Sequence, residues 1–202
     1  AIDPIEAIGS ICREYDLWLH IDAAFGGSAL ILPEYRYMIE GMDMADSFVF
    51  NPHKWMFTNF DCSAYFVKDK EALINTFSIL PEYLKTKTTG RVNDYRDWGI
   101  ALGRRFRALK LWFVIRNFGI KGIRERLKYH IQLAKNLEEK IIQHSSFELM
   151  CKRNFSLVCF RYHPPGMANE NKLNRLNEAL LQKLNETGKI YLTHTKIRGS
   201  FS

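Results

Sequence analysis

Two short apolar runs, each halted by polar residues, constrain this chain more than any other feature. Leu17-Trp18-Leu19-His20-Ile21 ends at Asp22-Ala23-Ala24, and Ser47-Phe48-Val49-Phe50 ends at Asn51-Pro52-His53-Lys54-Trp55. Runs this short and this apolar read as strands buried on both faces, the pattern of a parallel sheet. Pro4 to Tyr15 precedes the first run as a helix, with Ile5, Ile8 and Cys12 at helical spacing, Pro4 in the first turn and Asp3 as the cap. Pro33 to Met42 reads as a short helix between the two runs. The fold class is therefore α/β. Asp22 and Lys54 follow the carboxyl ends of successive strands, the edge at which open α/β sheets bind ligands.

That placement has chemical content. A lysine directly after a strand, beside a histidine and an aromatic, is well placed to form a Schiff base. Burial at the strand end would desolvate its ammonium, lower its pKa and free the amine as a nucleophile. Pyridoxal phosphate uses such a lysine and needs a carboxylate against its ring nitrogen. Asp22 supplies one, and Ala23 or Ala24 is small enough for a ring to lie against the backbone. Gly26-Gly27 permits a tight turn beside that ring. His20 reads as a hydrogen-bonded histidine within its strand, outside the site.

Further along, Cys62 to Val67 reads as a strand pairing antiparallel with the one before Lys54, and Glu71 to Phe77 as a brief helix. Leu80 to Lys85 leads into Thr86-Lys87-Thr88-Thr89-Gly90-Arg91, polar and without periodicity, which reads as a loop. Asp94 to Trp98 enters a glycine-punctuated turn, Gly99 to Gly103. A helix over Arg104 to Phe118 stops at Gly119, and a second, Gly122 to Gln143, carries the stripe Leu127, Ile131, Ala134, Leu137 and Ile141. Composition then shifts. Phe147 to Lys152, Leu157 to Tyr162 and Ile190 to Thr195 read as strands, and Asn169 to Thr187 as an amphipathic helix, the start of a small α+β domain. The boundary falls near residue 125, giving domains 1–125 and 126–202.

Composition narrows the class. The 202 residues are 47% hydrophobic and 25% charged, an ordinary globular balance. No apolar run is long enough to span a bilayer, and the N-terminal stretch lacks the pattern of a secretory leader. The net charge of +7 gathers in Gly103 to Lys110 and Arg124-Glu125-Arg126. Such a cluster can mark nucleic-acid binding. Here Phe106, Leu109 and Phe113 would share one helix face with most charges elsewhere, the pattern of a packed helix. Neither nucleic acid nor membrane is therefore expected as a partner. Cys12, Cys62, Cys151 and Cys159 form no paired motif, and no His/Cys group has zinc spacing. Cys62 and Cys159 lie in apolar runs as buried free thiols, which fits a reducing, cytoplasmic setting.

Four motifs occur in order: His20-Ile21-Asp22-Ala23-Ala24-Phe25, Asn51-Pro52-His53-Lys54-Trp55, Asn59-Phe60-Asp61-Cys62-Ser63, and Leu102-Gly103-Arg104-Arg105-Phe106-Arg107. Together they resemble the group II pyridoxal-phosphate-dependent amino-acid decarboxylases, most nearly the aromatic-L-amino-acid decarboxylases, from about Asp3 to Ser202. The resemblance implies the aspartate aminotransferase-like fold of PLP-dependent transferases (fold type I). Residues 1–125 would be the C-terminal part of the large domain, and 126–202 the truncated start of the small one. Family members are roughly twice this length or more, so the chain reads as an internal fragment, inactive alone, of a homodimeric enzyme. By the same resemblance Lys54 carries pyridoxal 5'-phosphate as a Schiff base and Asp22 keeps its ring nitrogen protonated. Ala24 and His53 line it, and Asn51 contacts its phosphate.

Pro81-Glu82-Tyr83-Leu84-Lys85 matches the family's catalytic flap, with Tyr83 as the general acid, and Gly103 matches a substrate-pocket position. Gly99 and Ala101 depart from the Gln and Pro of many relatives. The implied reaction is decarboxylation of tyrosine, dihydroxyphenylalanine, tryptophan or 5-hydroxytryptophan to the amine and carbon dioxide. Open alternatives are a relative acting on glutamate, histidine or a sulfinate, an aromatic acetaldehyde synthase, and a non-catalytic paralogue serving as an interaction module. A tyrosine at position 83 favours simple decarboxylation.

Overall fold

The computed structural model describes residues 2–79 and 92–202. It divides into two units, Ile2–Arg124 and Glu125–Ser202, with the first residue set aside.

In the first unit, helix α1 (Ile5–Glu14) begins after Pro4 with no side-chain capping bond, so Asp3 is not the cap expected of it. Strand β1 (His20–Asp22) pairs in parallel with β2 (Ser47–Phe50), His20 opposite Ser47 and Asp22 opposite Val49. Strand β3 (Ala64–Val67) pairs antiparallel with β2, as expected, and the sheet order is β1-β2-β3. β1 is shorter than its apolar run. The Leu19 N–H donates to the Asp46 carboxylate at 2.7 Å, so a side chain takes the place of a ladder partner there. Between β1 and β2 the chain makes three 3-10 segments, Gly26–Ile31, Pro33–Ile39 and Met42–Met44, the second of them falling within the short helix expected over Pro33 to Met42. Leu32 at the junction of the first two is fully buried, worth about 2 kcal/mol of hydrophobic stabilisation. Leu19, Ala29, Phe48, Trp55 and Cys62 complete this core.

After β2 comes a single helical turn, α2 (Pro52–Trp55). α3 (Lys70–Phe77) is capped by Asp69, whose Oδ1 accepts from Glu71 N and Ala72 N at 2.9 and 3.2 Å. The long α4 (Arg107–Gln143) is broken at Gly119, which has φ 63° and ψ 172°. A side chain there would be strained, so glycine sets the break expected from sequence. The helix starts three residues later than expected. Phe106 therefore precedes it and is 76% exposed, and Leu109 and Phe113 are exposed as well. The packed apolar face expected for this segment is not buried among the described residues.

In the second unit, Leu127, Ala134 and Ile141 of α4 are buried, while Leu137 is exposed. β4 (Phe147–Leu149) and β5 (Phe160–Tyr162) form an antiparallel pair, each shorter than its apolar run. α5 (Glu170–Glu186) is capped by Asn169, whose Oδ1 accepts from Lys172 N at 3.0 Å, and buries Leu173. Residues 190–195 are not the expected strand. The Asn185 amide takes both main-chain groups of Leu192, at 2.8 and 2.9 Å, and so occupies the hydrogen bonds a ladder would use. Pairing resumes in the hairpin of β6 (Lys196–Ile197) and β7 (Ser200–Phe201). Among the described residues no helix is long and apolar enough to cross a membrane, and no group of three His, Cys, Asp or Glu is placed to hold a metal. The cysteines are free. Cys62 is buried, whereas Cys159 is half-buried, and neither lies within a strand.

Candidate active site

The parallel pairing of β1 and β2 continues past both strands. Ala23 N donates to Val49 O at 2.9 Å and Asn51 N to Ala24 O at 3.0 Å, so residues 22–24 and 49–51 run side by side. Asp22 therefore ends one strand where the lysine motif leaves the next. The segment after Asp22 folds back tightly: Gly27 N donates to Ala23 O at 2.8 Å. A Cβ on Gly27 would lie 2.5 Å from Phe50 Cβ and 3.2 Å from Ala23 Cβ, so no side chain fits there. The Phe25 ring stacks on Trp55 at 4.6 Å with 5° between planes, tying this turn to α2.

On α2, Pro52 and Trp55 are one turn apart and both buried. With those two positions facing inward, Lys54 points away from the core. It is exposed, which corrects the expectation of a buried, desolvated lysine. Its ammonium has no hydrogen-bond or ion-pair partner among the described residues. Asp22 is likewise exposed, and its Oδ1 accepts from Ala24 N at 2.9 Å, which fixes the carboxylate while leaving its other oxygen open. Asn51 accepts from Ser63 Oγ at 2.7 Å through its side-chain oxygen, leaving the amide donors for an anion.

His53 is held by one residue. Its Nδ1 lies 2.8 Å from Cys62 N and 2.7 Å from Cys62 O, and its main-chain N donates to the same carbonyl at 3.3 Å. The Phe60 ring meets it edge-on at 4.9 Å. Between Phe60 and Cys62, Asp61 bridges to two arginines. Arg107 Nε and Nη2 reach Oδ2 at 3.0 and 2.9 Å, and Arg105 bonds Oδ1. The Arg107 hydrogen bond is the main reason the Asp61 carboxyl is held at about 2, with the Arg105 charge adding to it. Nothing in the local sequence around Lys54 pointed to Asp61, Arg105 or Ser63. The available signal was one acid in the third motif facing three arginines in the fourth.

Gly103 and Tyr83 complete the expected set, with His20 expected outside it. His20 Nδ1 lies 2.8 Å from Ser47 Oγ, the strand hydrogen bond expected of it. Gly103 is exposed, an added Cβ there would meet nothing within 4 Å, and no contact among the described residues brings it to Asp22 or Lys54. Tyr83 lies outside the described residues. The donor set suits pyridoxal phosphate: an unpaired primary amine for the aldehyde, a fixed carboxylate for the ring nitrogen, and amide hydrogens for a phosphate.

Comparison with known proteins agrees with this chemistry. The pyridoxal-dependent decarboxylase conserved domain matches residues 1–163. Tryptophan decarboxylase 2 of Oryza sativa subsp. japonica is 47% identical over 203 residues, covering 100% of this chain and 41% of the relative. Phenylacetaldehyde synthase of a Rosa hybrid cultivar is 44% identical over 209 residues, again covering 100% of this chain and 41% of the relative. The crystal structure of Oryza sativa TDC with PLP and tryptamine superposes with a TM-score of 0.94 at 38% identity, over 100% of this chain and 42% of that one. The chain thus spans about two fifths of the length of these relatives. With that domain matched over most of its length, the chain belongs to the pyridoxal-dependent decarboxylase family.

Proposed function

We propose that the whole protein is a pyridoxal-phosphate-dependent decarboxylase that converts an aromatic L-amino acid (tyrosine, dihydroxyphenylalanine, tryptophan or 5-hydroxytryptophan) into its amine and carbon dioxide. The observation that carries this reading is the pair Asp22 and Lys54 at the ends of adjacent parallel strands, both open to a ligand. The substrate class rests on the similarity to tryptophan decarboxylase 2 and to Tyrosine decarboxylase 2 of Narcissus pseudonarcissus, 46% identical over 203 residues. When bound, the cofactor supplies an electron sink for the pair left by departing carbon dioxide. The protein's own residues do the rest. Lys54 would hold the cofactor through its aldehyde. Asp22, oriented by the Ala24 N–H, keeps a proton on the ring nitrogen. Asn51 and His53 fix the cofactor's position, and Ala24 leaves room for its ring. Tyr83 delivers the proton to the α-carbon as general acid and helps exclude water. Gly103 leaves space for a bulky ring in the pocket.

On this reading residues 1–125 close the cofactor-binding domain and residues 126–202 open the C-terminal one. The protein works in the cytoplasm as a homodimer. The similarity to the rose phenylacetaldehyde synthase supports one alternative product, an aldehyde. The test uses the full-length protein with pyridoxal phosphate and a panel of aromatic and acidic amino acids, following carbon dioxide and amine together. Equal amounts from aromatic substrates only, abolished by Lys54→Ala, are expected. Aldehyde in place of amine moves the protein to the oxidative branch. Glutamate turnover moves the substrate class.

A further inference from the structure

We propose that Asp61 is a positioning residue for the lysine site, acting through Cys62 to set the His53 ring beside the cofactor. The proposal rests on the decarboxylase reading and assigns a role that reading does not contain. Its basis is a continuous set of contacts. Arg105 and Arg107 occupy both oxygens of Asp61. The next residue, Cys62, holds the His53 ring by its main chain: its N and O lie 2.8 and 2.7 Å from the one ring nitrogen, Nδ1, which bonds one or the other according to the tautomer. The preceding residue, Phe60, closes on the same ring at 4.9 Å. A second tie fastens the loop to the same place on α4, with Cys62 Sγ 3.9 Å from Arg107 O. His53 is covalently adjacent to Lys54. A loop that slips relative to the start of α4 therefore turns the imidazole against the lysine-bound cofactor.

Three features separate this from ordinary surface pairing. Both Asp61 oxygens are used, and one guanidinium reaches its oxygen through two nitrogens, a geometry that fixes direction as well as distance. The Arg107 hydrogen bond and the Arg105 charge hold the carboxyl at about 2, so the pair persists further into acid than an ordinary aspartate would. Finally, among the described residues the Asp61 carboxylate bonds only its own backbone and these two arginines.

The experiment compares full-length wild type with Asp61→Asn, Asp61→Glu and Arg107→Gln, each loaded with pyridoxal phosphate. Two readouts are taken: the pH titration of the bound cofactor's visible absorption band, and kcat and KM separately. With cofactor stoichiometry unchanged, Asp61→Asn is expected to move the midpoint of the band titration by at least about half a pH unit. It should lower kcat at least about tenfold while KM stays within about threefold. Asp61→Glu recovers part of both. The double variant Asp61→Asn/Arg107→Gln is no worse than the worse single variant, because one contact is removed twice. If Asp61→Asn does not yield folded protein, Arg107→Gln is read in its place against the same expectations. A wild-type titration and kcat in the substituted protein, a loss confined to folded yield, or additive effects in the double variant overturn the proposal. A wild type that carries the cofactor on Lys54 yet releases no carbon dioxide refutes the decarboxylase reading, and the band titration still decides the role of Asp61.

Discussion

The Lys54 site depends on single atoms around it as much as on its named residues. Gly27 is the plainest case. A methyl there would sit inside the contact distance of Phe50 Cβ and Ala23 Cβ, both of them anchored in or beside the strands. Gly27→Ala must push the 23–27 turn away from β2 and with it the peptide that orients Asp22. Overpacking of this kind costs about 1–3 kcal/mol. The full-length variant is expected to melt lower and to bind pyridoxal phosphate at least about tenfold more weakly, read by differential scanning fluorimetry and by titration of the cofactor band. At this scale the placement of Asp22 and Lys54 at the ends of adjacent strands was legible in the sequence, because Asp22 closes one short apolar run and Lys54 follows the other within four residues. The Asp61–Arg107 contact was not, since the partners are 46 residues apart and either arginine neighbour could have taken the acid. Lys54's exposure was hidden for a related reason: which way a one-turn helix faces depends on what Pro52 and Trp55 pack against.

At the scale of elements, side-chain amides decide where pairing stops. Asn177 is buried, accepts from Tyr162 N at 2.7 Å and donates to Tyr162 O at 2.8 Å, closing the free edge of β5. Asn174 does the same for the β6–β7 hairpin, accepting from Phe201 N at 2.8 Å. Asn177→Ala leaves the Tyr162 pair unsatisfied at a cost of about 2–3 kcal/mol. Faster hydrogen exchange at the Tyr162 amide, with β1 amides unchanged, is the expected readout. This use of asparagine explains why the Ile190–Thr195 run failed as a strand although its composition favoured one. The pattern of apolar residues cannot show that a helix side chain will claim the backbone first. Long helices with regular stripes and a glycine stop were the readable part.

A titratable network crosses the β4–β5 pair. His163 Nδ1 lies 3.0 Å from Glu148, which also bonds Arg161, and Arg161 reaches Glu170 at 2.8 Å. The Glu148 bond, then the Met167 carbonyl, raise His163 above its ordinary 6.5. Burial alone would raise Glu148, but the His163 and Arg161 bonds outweigh it and hold its carboxyl below the ordinary 4.5. The imidazolium is thus favoured in the folded state. Its stabilisation is complete below the unfolded histidine value and disappears as pH rises through the raised one. The melting temperature of wild type should exceed that of His163→Gln at about pH 5.5 and match it by about pH 9. A gap that widens with rising pH would show that the network works differently.

For the molecule as a whole, this chain covers about two fifths of its relatives, 41% in the case of tryptophan decarboxylase 2. It leaves much apolar surface uncovered, including Phe60 at 83% and Ile100 at 95% exposure. Apolar surface this extensive marks a face that other protein surface can cover. Everything proposed for the site turns on Lys54 as the residue to which the cofactor is joined. The most direct measurement is borohydride reduction of the full-length protein loaded with pyridoxal phosphate, followed by digestion and mass spectrometry of the peptides. A pyridoxyl group on Lys54, in the peptide that contains Asn51 to Trp55, and no comparable label on any other lysine are expected. A label carried by a different lysine, with Lys54 unmodified, would contradict that assignment.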